Sequence, residues 1–277
     1  MPIGTGPYKF VSYQSGVSVV LEKNEDYFQG APKIDKLVFQ IMTDDTTAVQ
    51  AFYNGEIDVL DGVPASEVLN MKNNPEIKLG CMSAARRFQM ICNMKDETMS
   101  KWEVRKAVAL SIDREEISKK ATNGLQAPAY GFYPPFLDWA YNADADIGAR
   151  DVNKAMELLE QAGYTKDADG YYLTLTLDVF SGSTYADCGK VIQANLKEAG
   201  INLQLNVMES AAWAEKISAG NYQLGIMAGY QGPDPDAMAK RIGTGAVMNY
   251  SQYSNAKVDE LLAQAEKIIR LNQGMIE

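Results

Sequence analysis

The sequence predicts an α/β fold, and three observations carry that prediction. Two runs, Tyr171 to Phe180 and Ile201 to Val207, put Leu173, Leu175, Leu177 and Val179, then Ile201, Leu203, Leu205 and Val207, at every second position. That is the period of a strand with one buried face. Between them Tyr185, Cys188, Ile192 and Leu196 recur at helical spacing up to Gly200. Strand, helix and strand in this succession make a βαβ unit, which requires a parallel pair joined by a right-handed crossover.

The remaining elements follow in chain order. Tyr8 to Tyr13, Val17 to Glu22 and Leu37 to Met42 read as strands, the last two from the alternation of Val17, Val19, Leu21 and of Leu37, Phe39, Ile41. A helix from Thr46 to Asn54 stops at Gly55, Ile57 to Leu60 is a short strand candidate, and Ala65 to Lys72 is a small helix ending before Asn74-Pro75. A strand from Arg87 to Asn93 leads into two helices. Ser100 with Glu103 and Asp113 with Glu116 have the spacing of capping boxes, and Val104, Ala107, Val108, Ser111 and Ile112 share a face. Gly124 closes the second helix. Residues 125 to 150, rich in Pro and aromatics, show no period and read as a long ordered loop, either functional or packed over a domain face. An Asp151-capped helix carrying Val152, Ala155, Met156 and Leu159 ends at Gly163, and Asp169-Gly170 marks a hairpin-like turn. A helix over Ala211 to Ala219 and a strand from Tyr222 to Gly229 extend the α/β pattern beyond Val207.

Composition narrows the function. The 277 residues suffice for a sizeable core in two unequal lobes, and 46% hydrophobic with 22% charged residues is ordinary for a globular chain. A net charge of −10 argues against nucleic acid and anionic lipid surfaces as partners. No run reaches the roughly 18 apolar residues of a membrane span, and nothing near Met1 has the form of a secretion signal. The opening Met1-Pro2-Ile3-Gly4 is also what an excised interior segment behind a start codon looks like. Cys81, Cys92 and Cys188 lack metal-site spacing and read as inert thiols. The absence of His removes the usual general base and the commonest transition-metal ligand. No nucleophile elbow or phosphate loop is present. The pairs Asp44-Asp45 and Asp234/Asp236 fall short of the about six oxygen ligands a divalent cation takes. Neither catalysis nor a cofactor is expected.

In open α/β sheets ligands collect beyond the carboxyl ends of the strands. That rule points to Tyr230-Gln231-Gly232-Pro233-Asp234-Pro235-Asp236, which offers an aromatic, two carboxylates and a stiffened backbone, although a solvated turn accounts for the same residues. Arg86 and Arg87 could hold a ligand carboxylate in a planar fork or be solvated charges at a domain junction. Tyr130, Tyr133 and Trp139 could wall a cleft. Trp213 shares its spacing with Ile217 and reads as core.

The motifs, taken in order, resemble the extracellular solute-binding proteins of oligopeptide, dipeptide and nickel ABC importers. The pieces are Gly4-Thr5-Gly6-Pro7-Tyr8-Lys9-Phe10, Asn24-Glu25-Asp26-Tyr27-Phe28, Ala51-Phe52-Tyr53-Asn54-Gly55-Glu56-Ile57-Asp58, Val104-Arg105-Lys106-Ala107 with Ser111-Ile112-Asp113-Arg114, Leu158 to Tyr164, Pro233-Asp234-Pro235 and Tyr253-Ser254-Asn255. None is specific alone; their joint order is. The resemblance implies a periplasmic-binding-protein-like fold (class II, cluster C type) of two lobes, residues 1 to 80 being part of the first and 81 to 277 most of the second. It implies a monomeric, extracytoplasmic protein, periplasmic or a cell-surface lipoprotein. Such a protein closes two hinged lobes around a small peptide or other solute and delivers it to permease subunits. A sensor or interaction module of the same fold, or a binder of a sugar, is the alternative. The family's peptide binders pair a buried Asp of the loop matching residues 230 to 236 with the ligand α-ammonium. Here Tyr230 takes the aromatic place, and the Asp and its neighbour are deleted. Losing one member of a buried ion pair costs about 3 to 5 kcal/mol, so Asp234 or Asp236 substitutes or the ligand differs.

Overall fold

The computed structural model describes residues 4–80, 86–133, 138–230 and 238–273. The chain divides into two compact units, residues 1–79 and 80–277.

The first unit is a three-stranded antiparallel meander followed by two helices. Strands β1 (Tyr8–Gln14), β2 (Ser18–Lys23) and β3 (Lys36–Gln40) lie in that order, with Phe10 opposite Leu21, Leu21 opposite Leu37, and a bulge between Phe10 and Ser12. Helix α1 (Asp45–Tyr53) starts one residue earlier than the spacing predicts, because Asp44 caps it by accepting from Thr47 N and Oγ1, both at 2.8 Å. These two donors hold the Asp44 carboxyl below its usual range. Helix α2 (Ala65–Lys72) forms over the span read from the sequence. The strand expected over Ile57 to Leu60 does not form: Gly55 turns the chain at φ +72° and Val59 is 79% exposed with no strand beside it. Among the described residues of this unit, Val49, Ala51 and Met71 are the buried hydrophobic side chains.

The second unit is built on a four-stranded mixed sheet. Its elements run β4 (Arg86–Cys92), α3 (Trp102–Ser111), α4 (Arg114–Thr122), α5 (Val152–Gln161), β5 (Leu173–Phe180), α6 (Ser183–Glu198), β6 (Ile201–Met208), α7 (Ser210–Ser218), β7 (Leu224–Tyr230), α8 (Ala239–Ile242) and α9 (Ala256–Gln273). The strand order is β4-β7-β5-β6. Strands β5 and β6 are parallel along their whole length, as the βαβ reading requires, while β4 runs antiparallel to β7. Strands β5 and β7 pair only at Leu177–Leu224 and Asp178–Gly225, so the sheet holds two ribbons joined by a short seam.

The side-chain period of two decides which face each strand residue takes. Leu175, Leu177, Val179, Ile201, Leu203, Leu224 and Ile226 go to the larger core, where Val104, Ala107, Val108, Leu159, Ile192 and Leu196 of the helices meet them. The opposite face carries a smaller cluster of Ile91, Ile217, Tyr222 and Met227, with Trp213 packed on it, so Trp213 is a core residue as its spacing indicates. On that face α7 comes close to bare backbone at Gly225, where an added Cβ would stand 2.9 Å from Ile217 Cδ1.

The caps decide where the helices begin. Asp113 accepts from Glu116 N at 2.9 Å, but Glu116 does not return the bond as a capping box would. Asn195 of α6 takes both open positions instead: its Oδ1 accepts from Asp113 N at 2.9 Å and its Nδ2 donates to Glu116 Oε2 at 2.6 Å. The box expected from Ser100 and Glu103 does not form either, since Ser100 Oγ donates to Glu97 O and α3 begins after Lys101 with no side-chain cap. Helix α5 does start on the predicted cap, with Asp151 accepting from Lys154 N. The Asp169-Gly170 turn is present, with Gly170 at φ +86°, but no strand precedes it and it is not a hairpin. Among the described residues no helix is long and apolar enough to cross a membrane.

Candidate functional site

The rim where β4 begins and β7 ends brings together the groups best suited to hold a ligand. Arg87, opposite Gly229 in the β4–β7 ribbon, points to the face that carries Gln89 and Ile91. Both Nε and Nη2 donate to Gln89 Oε1, at 3.1 and 2.7 Å, and Nη1 donates to the carbonyl of Phe132 from the long loop. The Arg87 guanidinium also lies 4.4 Å from the centre of the Phe132 ring. The loop therefore folds over Arg87, and the alternative of a solvated charge does not hold for this residue.

A second guanidinium comes from α8. Gly229 has no side chain, and Arg241 uses the space: a Cβ there would meet its Nη1 at 3.1 Å. Burial first, and the neighbouring Arg241 charge second, push Arg87 down to about 10. Both arginines line a cavity of about 140 Å³ with Gln89, Phe132, Met227 and Tyr250. Guanidinium donors at one cavity suit a carboxylate, which accepts charge-assisted hydrogen bonds from them. The chemistry this geometry suits is capture of a carboxylate.

The sequence-derived candidates divide. Tyr133 lies beside this cavity, with its ring edge-on to Phe132 at 5.5 Å. Tyr130 does not: its hydroxyl is 3.5 Å from Glu115, Arg114 stands 5.6 Å from its ring, and its carbonyl accepts from Ile147 N, so it pins the loop onto α4. Burial and the Glu115 charge raise its hydroxyl pKa. Trp139 is 67% exposed. Arg86 and Tyr230 pair with each other across the ribbon, but their side chains lie outside what the structure describes, and so do Asp234 and Asp236 entirely. Gln89, Arg241 and Tyr250 were missed because each sits in a segment without a motif. The one available signal was a basic residue, Arg241, closely following Pro233-Asp234-Pro235.

The family model for bacterial extracellular solute-binding proteins, family 5 (middle), matches residues 1–250. The chain belongs to this family. Among curated relatives of this family 5 chain, the oligopeptide-binding protein AppA of Bacillus subtilis is 29% identical, covering 96% of the chain and 51% of AppA. The glutathione-binding protein GsiB of Shigella flexneri is 27% identical over 96% of the chain and 53% of GsiB. The nickel-binding protein NikA of Staphylococcus aureus is 26% identical over 98% of the chain and 55% of NikA. The structure of Bacillus subtilis AppA in complex with a nonapeptide superposes with a TM-score of 0.83 at 27% identity, over 95% of the chain and 55% of AppA. The chain thus spans about half the length of the curated relatives it matches, and the periplasmic-binding-protein-like α/β fold implied by its motifs is the fold it shares with them.

Proposed function

We propose that this family 5 chain is the ligand-binding part of the extracytoplasmic substrate-binding component of an ABC importer, and that its solute is a peptide or another small molecule ending in a carboxylate. The observation that carries the reading is the Arg87–Arg241 pair in one cavity, walled by Phe132 and Tyr250. A peptide supplies a C-terminal carboxylate to the guanidiniums and apolar side chains to the wall. AppA and GsiB, an oligopeptide-binding and a glutathione-binding protein, make peptide the leading class. Tyr230, Asp234, Asp236 and Tyr133 are proposed for the ligand's other end, and Arg86 for its carboxylate beside Arg87; Tyr130 is placed against Glu115 and Arg114 of α4.

Native mass spectrometry of the gently purified full-length protein, followed by denaturation, weighs whatever it carries. A ladder of peptide masses supports the proposal. A bare metal ion, or a release that contains no peptide, overturns the peptide assignment. Arg87→Met then tests the site: it should weaken binding of the identified peptide by at least about tenfold, the cost of one bidentate charged contact of about 1.5–3 kcal/mol.

A further inference from the structure

A second cavity, of about 440 Å³, shares no lining residue with the Arg87 cavity and has the size of a small-molecule site. It opens on the α7 side of the sheet, where β7 has not yet begun. There the sheet is held by side chains. Gln223 accepts from Thr176 N through Oε1 at 2.9 Å and donates through Nε2 to Asp96 Oδ2 at 3.2 Å. Asn93, 4% exposed, donates to the carbonyls of Gly220 and Tyr222 and accepts from Lys95 N. These bonds fix the groups, which preorganises the wall.

One group is not saturated. Asp178, on the wall of this cavity, has a side chain 1% exposed, and its Oδ1 accepts from Lys216 Nζ at 2.6 Å and Asn206 Nδ2 at 2.7 Å. Its Oδ2 is buried with no donor. A carboxylate oxygen in that state seeks a donor, because leaving it unmade costs more than a hydrogen bond gains. The cavity also holds spare donors: among the described residues Lys216 Nζ donates to Asp178, and Lys95, also lining it, forms no ion pair.

We propose that this cavity binds a neutral polyhydroxylated ligand, a sugar or polyol, through Asp178, Lys216 and Lys95. The hydroxyl is the group that donates and accepts at one atom: it gives its proton to Asp178 Oδ2 and takes a hydrogen bond from a lysine ammonium. Asp96 and Asp178 against Lys95 and Lys216 leave the lining without net charge, so neither a cation nor an anion gains there. Admitting the hydroxyl to the buried oxygen requires a movement of the Lys216 side chain, which is 32% exposed. The site is separate from the solute site proposed above and stands whether or not that reading does.

The test is a titration of the ¹⁵N-labelled chain with D-glucose, D-ribose and glycerol, followed by amide shifts. Saturable shifts confined to Lys95, Asp96, Thr176, Asp178, Asn221 and Gln223 are expected. Asp178→Asn should weaken them by about tenfold and Lys95→Met, at an exposed position that does not threaten folding, by about threefold. Absence of saturation up to about 50 mM of every probe overturns the proposal, as does binding unchanged in Lys95→Met. The same shifts with ammonium acetate in place of the polyols overturn the ligand class.

Discussion

Asn195→Ala should cost the second unit about 2–3 kcal/mol, far more than an ordinary helix-surface change. Asn195 is 1% exposed and makes two bonds to α4, accepting from Asp113 N at 2.9 Å and donating to Glu116 Oε2 at 2.6 Å. Losing the neutral bond, and with it the acceptor of a part-buried amide, costs about 1–2 kcal/mol. The charged bond contributes about 1.5 kcal/mol, taken at the low end because the Glu116 side chain is 31% exposed. Against these losses, Ala gains about 0.7 kcal/mol of helix propensity over Asn in α6. The losses win. Urea unfolding followed by far-ultraviolet circular dichroism measures the difference, and for a unit of this size each kcal/mol is worth about 2–4 °C in Tm. A loss below about 1 kcal/mol would refute the claim that α6 supplies the missing half of the α4 cap. The pH dependence adds a second reading. Lys120 first and Asn195 second hold the Glu116 carboxyl below its usual range. A lowered carboxylate stabilises the fold above its unfolded pKa, and that contribution fades as pH falls through the lowered value. Asn195→Ala should therefore flatten the acid limb of the stability curve, and an unchanged limb counts against the bond.

Three further outcomes are expected. Gly225→Ala places a methyl 2.9 Å from Ile217 Cδ1 and 3.3 Å from Ile91, both buried, and should cost about 1–3 kcal/mol by calorimetry; Ile217→Val in the same chain should recover part of it. Burial pushes the thiols of Cys92 and Cys188 up to about 11, so alkylation mapped by mass spectrometry at pH 8 should find both slow in the native state and fast in urea. A raised thiol pKa stabilises the fold below the ordinary value and loses that contribution as pH climbs from about 9 to about 11, so denaturant midpoints should fall across that window. Arg87→Lys keeps the charge but not the fork, and calorimetric titration with the released peptide should find binding nearer to Arg87→Met than to the native chain.

The legible part of the fold was the part built from local pattern. Leu173 to Val179 and Ile201 to Leu205 announced β5 and β6 because one buried face imposes its period on consecutive residues, while Val207, which continues the alternation, lies past the core and is 48% exposed. The partner of β7 was not announced, since β4 lies more than a hundred residues earlier and nothing in either strand specifies the antiparallel register that sets Arg87 opposite Gly229. Ser100 has the spacing of a cap and does not cap, because Asp96 and Arg105 already engage the chain around Met99. Asp113 shows the converse: its cap is completed by Asn195, eighty-two residues away, which no short motif contains. The Arg87 site was legible only as a basic pair before a strand. Its burial depends on Phe132, in a loop with no period, and its second charge on Arg241, in a helix of four residues.

The seam between β5 and β7 has a mechanical consequence. Two residue pairs and the Gln223 side chain are the lateral fastening between the β4–β7 ribbon and the β5–β6 ribbon, whereas each ribbon is laced along seven or eight positions. Stress across the sheet concentrates at that fastening, so the ribbons part before either one unravels. Hydrogen exchange should therefore find the amides of Leu224 and Gly225 opening before those within either ribbon.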